Sequence, residues 1–159
     1  MTPLDPVDRQ ITRMLQANAR ETQADIARAV GLAPSAVLER IRKLEARGIV
    51  RGYAAELNPK ALGLGLLAFV AVRSDETGDD SGIARALAGH HEVLEVHHVA
   101  GDDCYLLKVR ARDAEHLGQI LRTRFARIPG VRSTRTTIVL ETIKETSRLP
   151  IPELEEAVS

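Results

Sequence analysis

Apolar residues recur at helical spacing in three successive stretches at the start of the chain, and then give way to strand-like alternation. Val7, Ile11, Met14 and Leu15 share one stripe between Leu4 and Asn18, which predicts a first helix. Pro6 falls in its first turn, where no amide donor is required. Thr22 to Val30 predicts a second helix, with Thr22 as N-cap, Asp25 three residues on, and Ile26, Ala27 and Val30 as the apolar face. Gly31 ends it, and Gly31-Leu32-Ala33 turns tightly into a third helix from Pro34 to Arg47, stopped by Gly48. There Val37, Ile41 and Leu44 point inward, while Ser35, Glu39, Arg40, Arg42 and Lys43 are left outside.

After Gly48 the period shortens. Ile49 to Leu57 reads as a strand, Asn58-Pro59 as a turn, and Lys60 to Gly65 as linker. Strands are expected at Leu66–Arg73, Val93–Ala100, Asp103–Ala111 and Val131–Lys144. Helices are expected at Gly82–Gly89 and Asp113–Ile128, the second with Leu117, Ile120, Leu121 and Phe125 as its stripe. Gly101-Asp102 has the composition of a hairpin turn. Strand–helix–strand–strand–helix–strand is the ferredoxin-like order, a four-stranded antiparallel sheet with two helices on one face. Its bare face is expected to carry Leu66, Ala68, Val70, Ile138 and Leu140, and a homodimer through that face would cover it. The last segment, Thr146 to Ser159, holds Pro150, Pro152, Glu153, Glu155 and Glu156 and reads as a tail or short arm.

Composition narrows the classes. With 44% hydrophobic and 28% charged residues in 159, the chain is expected to fold as one ordinary domain or two small ones. The longest apolar run, Ala61 to Val72, is broken by Gly63 and Gly65 and is too short to span a membrane. Acidic and proline-rich sequence after Met1 does not read as a secretory signal, and a single cysteine makes no internal disulfide, which together predict a cytoplasmic protein without a membrane partner. No tryptophan and 3% aromatic residues argue against a stacking platform for single strands. The net charge of zero hides an asymmetry: residues 1–60 hold ten Arg and Lys against seven Asp and Glu, and the remainder holds twelve against fifteen. Any polyanion contact therefore belongs to the first third.

That first third meets the demands of a helix-turn-helix, in which one helix crosses the DNA backbone and the next lies in the major groove. Ala27 and Gly31 allow close helix approach. The third helix offers Ser35 and Ala36 near its N-terminus for base edges, and Glu39, Arg40, Arg42, Lys43 and Arg47 further along for bases or phosphates. Such a face on an isolated helix is more often merely solvated. The complete capped three-helix pattern shifts the balance to double-stranded DNA.

Leu4-Asp5-x-x-Asp8-Arg9-x-Ile11, Ala19-Arg20, Ile26-Ala27-x-x-Val30-Gly31-Leu32 and Ser35-x-Val37-x-x-Arg40-Ile41-x-x-Leu44-Glu45-x-x-Gly48-Ile49-Val50-x-Gly52-Tyr53 resemble the leucine-responsive/asparagine-regulator (Lrp/AsnC) transcription factors. Gly101-Asp102-Asp103-Cys104-Tyr105-Leu106-Leu107-x-Val109 and Gly130-Val131-x-Ser133-Thr134-x-Thr136-x-Ile138-Val139-Leu140 resemble that family's effector and oligomerisation domain. The resemblance implies an α+β chain: a winged helix-turn-helix DNA-binding domain over 1–57, a linker over 58–65, a ferredoxin-like (RAM-type) effector and oligomerisation domain over 66–145, and a tail over 146–159. It implies a feast-or-famine regulator, a homodimer assembling further, to an octamer, whose DNA binding responds to a small molecule, usually an amino acid.

Two departures stand out. Ala33 occupies the N-cap of the reading helix where the family has Ser or Thr, and Cys104 replaces the aspartate of the family's Gly-x-x-Asp-Tyr loop. By resemblance the effector lies in a cleft between two ferredoxin-like domains, near Gly101, Asp102, Asp103, Cys104 and Tyr105 and the strand of Thr134 and Thr136. Asp102 or Asp103 would accept from an ammonium, while glycine-flanked amides and threonine hydroxyls would donate to a carboxylate. Read without the resemblance, two aspartates at a hairpin are turn residues and alternating threonines an exposed strand face.

His90, His91, His97 and His98 suggest a metal cluster, but adjacent histidines in a strand project to opposite faces, and no cysteine spacing supports zinc, so no metal is expected. Cys104 lacks a base and oxyanion site, and Gly63 and Gly65 do not continue into a phosphate loop, so neither an enzyme nor a cofactor is expected. Two alternatives to a ligand-responsive regulator stay open: an architectural DNA-binding protein without small-molecule control, and a metabolite-binding module with an incidental helical head.

Overall fold

The computed structural model describes residues 4–75 and 82–152. The end of the expected tail, including Glu153, Glu155 and Glu156, lies outside the described residues. Three helices come first: α1 (Pro6–Ala17), α2 (Gln23–Val30) and α3 (Pro34–Ala46). The first two begin at a side-chain cap. The Asp5 carboxylate accepts from the Asp8 amide at 2.7 Å, and the Thr22 hydroxyl accepts from the Asp25 amide at 3.1 Å while donating to the Asp25 carboxylate at 2.5 Å. Gly31 closes α2 in the left-handed region, φ 69°, which a residue with a Cβ adopts only at a cost. Ala33 caps α3 with no side-chain bond. Ile11, Leu15, Ile26, Ala27, Val37, Ile41 and Leu44 fill the core between the helices.

The strand expected over Ile49–Leu57 does not form. The Ile49 and Val50 amides turn back to the Leu44 carbonyl at 2.9 and 3.3 Å, and both side chains join the three-helix core. Residues 51–58 have no regular structure. Alternating residues create a strand only where another strand accepts their backbone groups.

A second compact unit, Leu57–Lys144, follows; the first, Met1–Glu56, also takes in the end of the chain from Glu145. The second unit contains β1 (Leu66–Ser74), α4 (Gly82–Ala88), β2 (Val93–His98), β3 (Tyr105–Ala111), α5 (Ala114–Thr123), a 3-10 turn (Phe125–Arg127) and β4 (Val131–Ile138). The sheet order is β2-β3-β1-β4, antiparallel throughout, as the ferredoxin-like order requires. One sheet face packs on the helices: Ala68, Val70, Val72, Leu107 and Val109 form a single core with Ile83, Leu87, Leu117, Ile120 and Phe125.

That core corrects the expected bare face. Leu66, Ala68 and Val70 sit on the helix side, and Ile138 pairs with Ala68 in the same row. Leu67, Phe69 and Ala71 alternate onto the other side, beside Leu106, Lys108 and Arg135. Every position of β1 from Leu66 to Val72 is apolar, so parity is not written in the strand itself. Other bounds move too. β4 stops at Ile138 rather than Lys144, leaving Leu140 and Ile143 exposed; the helix expected to reach Ile128 ends at Thr123; and β2 and β3 are joined by a six-residue loop, Val99–Cys104, not by a two-residue turn.

The terminal segment lies along α1. Gln16 donates to the Leu149 carbonyl and accepts from the Leu149 amide, both at 2.8 Å, and Arg13 donates to the Ile151 carbonyl at 3.2 Å. No helix among the described residues is long and apolar enough to cross a membrane.

Candidate nucleic-acid interface and effector loop

Burying Val37, Ile41 and Leu44 leaves the opposite face of α3 to solvent. Ser35, Glu39, Arg42, Lys43 and Arg47 are exposed, and Ala36 and Arg40 are half-buried. All seven residues expected at a DNA interface therefore lie on α3 or, for Arg47, at its C-cap, off the core side. Their electrostatics are mixed rather than plainly basic. Lys43 Nζ lies 2.6 Å from Glu39 Oε1, and this hydrogen bond, with the lysine charge, holds the Glu39 carboxyl below the usual range. Arg40 turns away from the others: its Nη1 meets Asp5 Oδ2 and Asp8 Oδ1, each at 2.7 Å. Asp5 is held below the usual range first by the Asp8 amide and then by Arg40, whose own pKa rises in return. A groove of about 530 Å³ lies between these groups, lined by Asp5, Asp8, Ala36, Glu39, Arg40, Lys43, Ala46 and Arg47. The Glu45 carboxylate accepts from the Tyr53 hydroxyl at 2.9 Å on the same helix.

The Asp5–Asp8–Arg40 cluster was not legible as a contact. Arg40 stands more than thirty positions from the two aspartates, and only the packing of α1 on α3 joins them. Opposite charges at the start of one helix and on the polar face of another were the only hint.

In the second unit, the loop Val99–Cys104 is closed by the Val99 amide bonding the Cys104 carbonyl at 3.0 Å, and the Cys104 amide bonds Val72 at 2.9 Å. The Asp102 carbonyl accepts from Arg73 Nε at 3.0 Å. The Asp103 carboxylate accepts from Arg135 Nη2 at 2.6 Å. The Cys104 thiol points to the Ser74 carbonyl, 3.6 Å away. Asp102 and Cys104 are thus tied to the end of β1, and Asp103 to β4. Tyr105 departs from them: it is buried in the core, its ring 5.3 Å from that of His98. Thr134 and Thr136 pair with Val72 and Val70, so they belong to the helix-side rows, while Arg135 between them takes the other side. Arg135 is the residue sequence reasoning overlooked here. A basic residue between two threonines carries no mark of its partner until the loop folds over it.

The histidines separate. His98 stacks on Tyr105, His90 lies 5.6 Å from the Phe125 ring, His97 contacts Glu95 at 3.1 Å, and His91 contacts Glu92 at 3.1 Å.

Two family models match the chain: an AsnC-type helix-turn-helix domain over residues 4–45 and an Lrp/AsnC ligand binding domain over residues 67–149. An HTH-type transcriptional regulator of Pyrococcus horikoshii is 40% identical over 149 residues, 94% of this chain and 97% of that protein. The leucine-responsive regulatory protein of Escherichia coli K12 is 39% identical over 150 residues, 93% and 92% of the two chains. Among solved structures, a transcriptional regulator of Neisseria meningitidis in complex with L-methionine superposes with a TM-score of 0.85 at 34% identity, covering 93% of this chain and 97% of its own. A feast or famine regulatory protein of M. tuberculosis complexed with L-methionine also gives 0.85, at 39% identity over 94% and 100%.

Proposed function

The chain belongs to the Lrp/AsnC family of transcriptional regulators, and from that membership we propose an amino-acid-responsive, duplex-reading regulator that works as a homo-oligomer. It is a transcriptional regulator rather than an enzyme. The observation that carries the DNA reading is α3, buried on one side and presenting Ser35, Ala36, Arg42, Lys43 and Arg47 on the other. Ser35 and Ala36, in the first turn, are placed to approach base edges, and the three cations to bind phosphates. Glu39 holds Lys43 in the free protein and exchanges it for a phosphate on binding; an ion pair this exposed costs little to open.

The effector reading rests on the Asp103–Arg135 pair beside Gly101. A zwitterion presents an ammonium and a carboxylate, and this pair presents the complementary carboxylate and guanidinium. Arg135 is 78% exposed, so the pair opens readily to admit a ligand. Asp102 and Cys104 flank Asp103 in the loop, while Thr134 and Thr136, neighbours of Arg135 on β4, face the helix side and would reach a ligand only through their backbone. The L-methionine complexes of two relatives support an amino acid as ligand. Residues 1–57 would then read DNA, 66–145 would sense the effector and assemble, and 58–65 would join them. Phe69, exposed at the centre of the sheet face turned from the helices, supports pairing of two copies there, with octamers as the larger assembly. One cysteine and the absence of a membrane-length helix among the described residues support a cytoplasmic site of action.

The test is a fluorescence-anisotropy titration on duplex DNA from the gene's own upstream region, at several salt concentrations, with and without each amino acid. Affinity is expected to fall steeply with salt and to shift with at least one amino acid. Specific binding that no amino acid alters leaves the architectural alternative, and no binding to duplex at all overturns the function.

A further inference from the structure

Arg40 occupies a position on α3 where a DNA-contacting guanidinium is expected, yet its charge is already committed. One nitrogen, Nη1, donates to two carboxylates of a different helix, Asp5 Oδ2 and Asp8 Oδ1, both at 2.7 Å. Asp5 does two things at once: its Oδ1 caps α1 by accepting the Asp8 amide at 2.7 Å, and its Oδ2 receives Arg40. Asp8 is the most shielded of the three, with its side chain 13% exposed against 34% for Arg40 and 47% for Asp5. The three residues close a ring that joins the first turn of α1 to the middle of α3. A phosphate brought to Arg40 would stand beside two like charges, and its approach would be repelled.

We infer that Arg40 is a positioning residue: clamped by Asp5 and Asp8, it fixes the pose in which α3 meets the duplex, and the phosphate contacts are left to Arg42, Lys43 and Arg47. The inference rests on the DNA reading above for its second half only. Charged hydrogen bonds from one guanidinium to two carboxylates are the strong kind, and the capping bond orients one of those carboxylates before the arginine arrives. α1, α2 and α3 share one buried core, with Ile11 and Leu15 of α1 against Ile26, Ala27, Val37, Ile41 and Leu44, so a clamp from the first turn of α1 to α3 bears on how the three helices sit together.

The experiment uses the intact chain with Arg40→Gln, Asp8→Asn, their combination, and Lys43→Gln. Thermal melts without DNA come first. Coupling predicts that the double variant melts no lower than the weaker single one, and additive losses overturn the clamp. Affinity and salt slope are then measured well below the melting temperatures. Asp8→Asn removes a negative charge next to the DNA face, which would tighten binding if Arg40 were a masked phosphate contact. The clamp predicts the opposite sign: Asp8→Asn and Arg40→Gln each weaken binding roughly fivefold. Both leave the slope of log affinity against log salt unchanged, whereas Lys43→Gln lowers it by about 0.9. Tighter binding by Asp8→Asn, or a reduced slope for Arg40→Gln, overturns the inference. If the unaltered chain binds no duplex, the functional reading fails and the melts alone judge the clamp.

Discussion

Glu92 is buried at 4% exposure between the last turn of α4 and β2, among charges brought from α5. Arg124 Nη1 lies 2.5 Å from one of its oxygens, and His91 and His116 face the other at 3.1 and 3.7 Å. The Arg112 amide bonds His116 Nδ1 at 3.3 Å, which leaves the Nε2 proton of that ring toward the carboxylate. Burial is the largest single influence and pushes the Glu92 pKa up, but its own amide, Arg124, His91 and His116 together outweigh it and hold the carboxyl below the usual glutamate range. A depressed folded pKa gives stability that is complete above the unfolded value and is lost as pH falls through the folded one. Glu92→Gln is therefore expected to destabilise the protein by about 2 kcal/mol at pH 7. In melts across pH, the gap to the unaltered protein should hold down to about pH 5 and close below about pH 4. A gap independent of pH would show that packing, not charge, holds the site. Nothing in the sequence marks Glu92, because Arg124 stands far along the chain and only the helix on the sheet delivers it. The same distance hides the ring of Asp5, Asp8 and Arg40, although each of the three was visible as a residue.

At the scale of single elements, helices were read well and strands less well. A helix satisfies its backbone within itself, so Thr22, Gly31, Pro34 and the apolar stripes suffice to place α2 and α3 within a residue or so. α3 starts from Ala33, whose extended backbone suits a capping side chain that alanine lacks. Ala33→Ser is expected to stabilise the first unit by about 1 kcal/mol, read from its denaturant midpoint at unchanged slope. A strand instead needs a neighbour. Ile49–Leu57 reads as a strand and forms none, Leu140 and Ile143 continue an apolar pattern beyond the point where β4 ends, and the loop before Tyr105 takes six residues where two had been enough for the composition. Gly130 shows the reverse, a position that local pattern leaves open and packing closes. Its φ is +89°, which a residue with a Cβ adopts only at a cost, and a Cβ there would also push the end of the Ile83 side chain, 2.8 Å away, out of its place, so glycine is the least strained residue for the entry to β4.

For the whole molecule, the proposed pairing of two copies runs through the sheet face turned from the helices. The register puts Phe69 between Lys108 and Thr137 on the side away from α4 and α5. A charge at Phe69 should therefore break assembly without breaking the core. Phe69→Glu is expected to shift the sedimentation profile toward monomer while the far-ultraviolet circular dichroism stays the same. An unchanged oligomer would place the interface elsewhere.

Three helical stretches, their caps and the alternation that follows them determined the α+β class, the order of elements and the face of α3 that remains in water, because each of these depends on neighbours within a few residues. Tertiary structure alone decided the parity of β1, the length of β4, the retreat of Tyr105 into the core, and the partners of Arg40, Glu92 and Asp103. Most of these depend on groups far apart along the chain, and a charge or an apolar side chain carries no label for a partner that only the packing of helices and strands brings within reach.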